Sequence, residues 1–301
     1  MKEHKGLLFA IISPLVTSVA TILIGGAIKL INPWIVLSVS PLIGAFILFF
    51  VVFFKGQKLR LQELKNNQRD IASLVVVRYI IGWAIFVIGL TFTDVIKAIF
   101  FTKVEPYFVL LIHWIVYREK VKRKHLVLLA VHILGAILLS TGGRSIGFGK
   151  SQIGDLLVVI SMACASLSYI PAARLSKRIG AIKINAITLF VTGIVFLPFT
   201  LFFTVPIGAI SIRGLIYMFG YSVLFYVIGL TLWFASLKTV KSWIVSSLRA
   251  LGPLIGAPFA YFLLGETLTL IQLLGGIVVL ATSFLIAREH LSIVKAERSK
   301  S

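Results

Sequence analysis

Polar residues in this chain come in short clusters, separated by long apolar runs. A run such as SPLIGAFILFFVVFF (residues 40–54) shows neither the alternation of a half-buried strand nor a polar helical face. A helix needs about 20 mainly apolar residues to cross a bilayer. Ten segments reach that length: 6–28, 33–54, 71–90, 97–117, 125–142, 153–174, 184–204, 212–235, 243–264 and 268–287. The pattern predicts an all-α integral membrane protein of ten transmembrane helices. The apolar sequence after MKEHKG continues through residue 28, so the start is read as the first span and not as a cleaved leader.

Charge fixes the expected orientation. With ten spans both termini lie on one side. That side holds 22 of the 30 basic residues, the opposite side five, and Arg78, Lys103 and Arg249 fall inside spans. Cytoplasmic loops concentrate Lys and Arg, so both termini are expected in the cytoplasm, with the chain in the cell membrane. The net charge of +20 is explained by those loops, and no nucleic-acid partner is expected. Cys164 stands alone, so there is no internal disulfide and no cysteine metal cluster.

Two segments echo one another. In TKVEPYFVLLIHWIVYREK (102–120) and RALGPLIGAPFAYFLLGET (249–267), a proline is followed thirteen residues later by a glutamate. Pro106 and Glu119 precede Pro253 and Glu266 by 147 positions each. Five spans lie before the Gly- and Ser-rich link STGGRSIGFGKSQIG (140–154) and five after it. An odd count turns the second half upside down in the membrane. The expected organisation is two inverted five-helix repeats, residues 1–150 and 151–301, around a central cavity, with the C-terminal tail cytoplasmic. Inverted repeats are a recurring transporter plan, with substrate near the midplane.

These residues resemble the drug/metabolite transporter superfamily in its ten-helix form, built from two EamA-type halves. The resemblance is carried by PYFVLLIHWIVYREKV (106–121), by PLIGAPFAYFLLGETLTLIQLLGGIVVL (253–280) and by GDLLVVISMACASLSYI (154–170) as the opening of the second half. It covers about residues 6–288. The chain departs from the pattern at Glu105, where the family usually has a small or apolar residue. The resemblance implies a basket of ten helices around a cavity that opens alternately to each side. It does not imply a substrate, because members carry amino acids, sugars, nucleotide-linked sugars, phosphorylated metabolites and drugs.

A basic residue at a span centre costs at least about 2.5–3.5 kcal/mol, so Arg78, Lys103 and Arg249 should face protein or water. They are the first substrate-binding candidates. Two plainer readings stand beside this: Arg249 snorkels to the headgroups, or Arg78 pairs with Glu105. At about 100° per residue, Lys103, Tyr107 and Trp114 share a face, which adds Tyr107 and Trp114 as candidates; such stripes also serve packing. Glu105 lies about 200° from Lys103 on a regular helix. Either Pro106 distorts the helix, or Glu105 meets a neighbour. Glu105 and His113 are ion-pair or coupling candidates, with a neutral core role the plainer reading for His113. Pro106 and Pro253 are hinge or gate candidates. Glu119 and Glu266 are read as structural, accepting bonds from the start of the next helix. Gly252, Gly256 and Ala260 form a small-residue ridge for close helix packing.

The leading expectation is a secondary transporter of a small organic metabolite, anionic or zwitterionic, working by alternating access within the lipid bilayer. No GxxxxGK[ST] loop is present, so ATP drive by this chain is not expected. Convergent acidic or His pairs for lipid chemistry are missing, so neither an enzyme nor a metal or other cofactor is expected. A flippase of a lipid-linked phosphate and a non-transport scaffold are the alternatives, and a homodimer is left open.

Overall fold

The structure, a computed structural model, describes residues 2–58, 60–117, 123–143, 149–203 and 211–298. Among these residues the ordered elements are all helical: α1 (Lys2–Ile28), α2 (Pro33–Phe54), α3 (Leu61–Asn66), α4 (Gln68–Leu90), α5 (95–117), α6 (Arg123–Thr141), α7 (Lys150–Leu167), α8 (Tyr169–Arg178), α9 (Ala181–Phe203), α10 (Ile212–Leu237), α11 (Ser242–Leu264) and α12 (Leu270–Arg298). Eight are long and apolar enough to cross a membrane: α1, α2, α4, α6, α7, α9, α10 and α11. α5 carries Lys97, Lys103 and Glu105, and the apolar part of α12 is the shorter Leu270–Leu285. The segment expected at 153–174 is broken near Ser168 into α7 and α8.

The helices pack mainly across the two halves. α2 lies along α9 and α6 along α12; α1 meets α10 and α11, while α7 meets α4 and α5. Exchanging each helix of the first half for its counterpart in the second maps this pairing onto itself. Missing side chains allow the closest approaches. A Cβ on Gly275 of α12 would stand 2.5 Å from Leu139 N and 2.6 Å from Gly135 O of α6. Backbone, unlike a side-chain tip, cannot swing aside. Outside, Phe50 of α2 is 65% exposed, Phe53 77% and Phe202 of α9 84%. Continuous apolar surface of this kind suits hydrocarbon rather than water.

Helical irregularities recur at matching places. α4 and α10 each contain a π-helical stretch, Leu74–Gly82 and Ser222–Gly229. The stretch in α10 is supported from neighbouring helices: Ser13 Oγ donates to Gly229 O (2.9 Å) and Asn185 Nδ2 to Tyr226 O (2.7 Å). α5 and α11 each contain a 3-10 turn, Thr102–Val104 and Arg249–Leu251. Each turn sits before a proline, Pro106 or Pro253. A proline ring clashes with the carbonyl four residues back, here Thr102 or Arg249, and the tighter 3-10 winding removes that residue from the α ladder.

Candidate functional site

The three basic residues that the hydropathy pattern singled out converge. Arg78 of α4, Lys103 of α5 and Arg249 of α11 line one cavity together with Glu105. Two of these helices belong to the first half and one to the second.

The local geometry follows from the prolines. Pro253 has no N–H, so Arg249 C=O loses its α-helical donor. It accepts instead from Gly252 N–H in the 3-10 turn and from Lys103 Nζ at 2.9 Å. Gly252 is needed beside them, because a Cβ there would lie 2.2 Å from Ser18 Oγ and 3.1 Å from Lys103 Nζ. Gly256 sits one turn on, where a Cβ would lie 3.1 Å from both Ile99 and Ser18, and Ala260 is fully buried. The ridge Gly252–Gly256–Ala260 thus lies against α1 and α5.

Glu105 answers the question its angle raised. The 3-10 turn before it winds at about 120° per residue instead of about 100°, which narrows its separation from Lys103 from about 160° to about 120°. Glu105 also meets a neighbouring helix: Arg249 Nε lies 2.7 Å from its Oε2. The partner of Glu105 is therefore Arg249, not Arg78. This also corrects the snorkelling alternative for Arg249, whose side chain is only 13% exposed and points into the bundle. Glu105 Oε1, Glu105 Oε2 and Arg249 Nε are all buried without a hydrogen bond among the described residues, so the contact is a charge pair rather than a hydrogen bond. Ser166 Oγ holds the Glu105 main-chain carbonyl from α7.

Arg78 is held from the second half. Its Nη1 donates to Ser168 Oγ (3.0 Å) and Ala165 O (3.3 Å), and its guanidinium lies 4.1 Å from the Trp233 ring centre. Stacking on an indole is favourable for a guanidinium and keeps some of its N–H donors unused. Counting formal charges, Arg78, Lys103 and Arg249 against Glu105 leave the cavity at +2.

The remaining expected site residues are dispersed. Tyr107 is buried, packs against His132 with ring centres 4.6 Å apart and planes tilted by 57°, and lies outside the cavity lining. His132 Nδ1 pairs with Thr282 Oγ1 at 2.9 Å, tying α6 to α12. Trp114 is 49% exposed on the outside of the bundle. Pro106 and Pro253 lie just past the two 3-10 turns. Glu266 accepts Ile96 N–H (2.8 Å) and Lys29 Nζ (3.0 Å), so the helix start it supports is that of α5 rather than of the next helix. Glu119 and the His113 side chain lie outside the described residues.

The sequence reading missed the rest of the wall. Trp83, Phe86 and Phe225 give it aromatic surface, Trp83 stacking on Phe86 at 5.0 Å and lying 4.7 Å from Phe225. Thr17, Ser18 and Thr21 of α1 and Ser161 of α7 add hydroxyls. Those residues sit in apolar or weakly polar sequence that hydropathy cannot tell from ordinary core. The signals that could have found them were the four-residue spacing Thr17–Thr21 and the alignment of Arg78 with Gly82 on one helical face.

A multi-helix fold with lipid-compatible flanks and a charged internal cavity defines a polytopic membrane protein. The EamA-like transporter family matches residues 4–141 and 152–288, and the chain belongs to it. An uncharacterized transporter of Methanothermobacter thermautotrophicus is 27% identical over 227 residues, 74% of this chain and 66% of its own. A probable amino-acid metabolite efflux pump of Salmonella typhimurium is 25% identical over 189 residues, 59% of this chain and 62% of its own. The chain thus aligns with slightly less than two thirds of either relative. A crystal structure 12% identical in sequence superposes with a TM-score of 0.69, covering 94% of this chain and 96% of that one, a likeness of fold alone.

Proposed function

We propose that this protein is a secondary transporter of a small organic metabolite carrying negative charge. It moves its cargo across the cell membrane by alternating access, with both termini in the cytoplasm. In this reading ten helices form two inverted five-helix repeats, residues 1–150 and 151–301. The two family matches, the self-mapping helix contacts and the paired π and 3-10 stretches support the repeat.

The observation that carries the functional reading is the convergence of Arg78, Lys103 and Arg249 on one cavity with a single acid. Buried cations are expensive, and three of them against a single acid are explained by an anion that comes and goes. The repeats meet at this cavity, so rocking of one half against the other would expose it to either side. The Pro106 and Pro253 turns, laced together by Lys103 and Arg249, are where α5 and α11 would shift. The name of the Salmonella relative is compatible with an amino-acid-like cargo, but the charge count favours net negative charge.

Thermal unfolding of the detergent-purified protein tests this against phosphorylated sugars, carboxylates, amino acids, nucleotide sugars and quaternary amines. A ligand at 100 times its dissociation constant stabilises the folded form by about 2.7 kcal/mol. An anionic class is expected to shift the midpoint. Lys103→Gln, which keeps a donor for Arg249 C=O but removes the charge, is expected to lose the shift while folding normally. A folded wild type that no anionic class stabilises, or an unchanged shift in the variant, overturns the reading.

A further inference from the structure

The cavity wall is divided by chemistry. α4 contributes Arg78 to it and, five and eight residues further along the chain, Trp83 and Phe86. Lys103 and Arg249 add cations from α5 and α11, and Phe225 of α10 extends the aromatic part. Trp83 is only partly buried, whereas Phe86 and Phe225 are buried behind or beside it, so the indole is the main aromatic surface offered to the cavity.

We infer that the substrate is a flat-ringed organic acid, taken as its anion and without an ammonium group, and that Trp83 selects the ring. The inference rests on the transporter reading above and narrows its cargo. The cationic part can hold the acid group. One of the three Lys103 ammonium donors goes to Arg249 C=O, and Arg78 uses its Nη1 on Ser168 and Ala165, which leaves donors on both for a carboxylate. The aromatic part prefers a flat partner, because offset or edge-on ring contacts gain beyond simple burial. An ammonium is disfavoured by charge. Glu105 is the single acid in the lining, and its Oε2 is already on Arg249. Its Oε1 has room for one donor, from a water or from a neutral group on the ligand, but that does not change the sign of a site at +2.

Four probes of similar size separate the terms: phenylacetate, cyclohexylacetate, phenylalanine and phenethylamine, each titrated against wild type, Trp83→Leu and Lys103→Gln by thermal shift. Phenylacetate is expected to bind tightest. Cyclohexylacetate, phenylalanine and phenethylamine should each bind at least tenfold more weakly. Trp83→Leu should weaken phenylacetate about tenfold while bringing it level with cyclohexylacetate. Phenylalanine binding as tightly as phenylacetate, or Trp83→Leu leaving the ring preference intact, overturns the inference but leaves an anion transporter standing. If none of the carboxylates binds while another anionic class does, the inference also fails and the transporter reading holds. If no anion of any class binds, both fail together.

Discussion

The Glu105–Arg249 pair is the sharpest test of how the cavity is held. Glu105 is fully buried, Arg249 is 13% exposed, and their N–O distance is 2.7 Å. Removing one partner of such a pair strands the other charge and costs about 3–5 kcal/mol. Replacing both by neutral side chains of similar volume is often close to neutral. The two single variants should not be equal. In Glu105→Gln the stranded Arg249 faces Lys103 and Arg78, all of one sign, so the full cost is expected. In Arg249→Met the stranded Glu105 still has the Lys103 ammonium in the same cavity, so the cost is expected to be about 1–2 kcal/mol smaller. At the roughly 2 °C per kcal/mol that holds for larger domains, Glu105→Gln should unfold about 6–10 °C below wild type. The double variant should be no worse than the milder single one. The assay is intrinsic fluorescence of the five tryptophans during heating in detergent, compared at one scan rate because unfolding of such proteins is often irreversible. A double variant destabilised by the sum of the singles would show that the two side chains do not act as a pair, and would refute the account of the site's packing.

Other outcomes can be checked alongside. Gly275→Ala should destabilise more than Gly252→Ala, because its new Cβ meets backbone of α6 at 2.5–2.6 Å, whereas that of Gly252 meets the movable ends of Ser18 and Lys103. Overpacking of this kind costs about 1–3 kcal/mol, and Ser18→Ala should rescue Gly252→Ala but not Gly275→Ala. A second buried pair joins Lys97 and Asp155 at 3.2 Å, with hydroxyls of Thr93, Ser140 and Ser151 around it. Lys97→Met should cost about 3–5 kcal/mol in thermal unfolding, with anion binding retained once folded. Trp114→Ala removes a half-exposed ring outside the cavity, so ligand-induced stabilisation should match wild type; a lost shift would move the site.

Much of the fold was legible. Apolar run lengths located the eight helices that are long and apolar enough to cross a membrane, most of them to within a few residues, since a bilayer demands length and composition before anything else. The offset of 147 between the Pro-to-Glu segments pointed to the two positions where 3-10 turns now sit. The cost of burying a cation in hydrocarbon singled out Arg78, Lys103 and Arg249, and those three do share a cavity.

The sequence could not rotate the helices. In water, a polar face and an apolar face tell which side of a helix looks inward. In a membrane protein both the lipid side and the core side are apolar, so that contrast is lost. The stripe through Lys103 therefore promised Trp114 to the cavity, while the structure turns Trp114 outward and brings in Trp83 from α4. Pairing was equally out of reach: Glu105 could face any neighbour, and only the packing of α5 against α11 selects Arg249 over Arg78. Periodicity fixes the angles between residues on one helix. Which angle faces which neighbour is decided by the close approach of glycines and the shapes of side chains across the bundle, and those contacts exist only once the chain has folded.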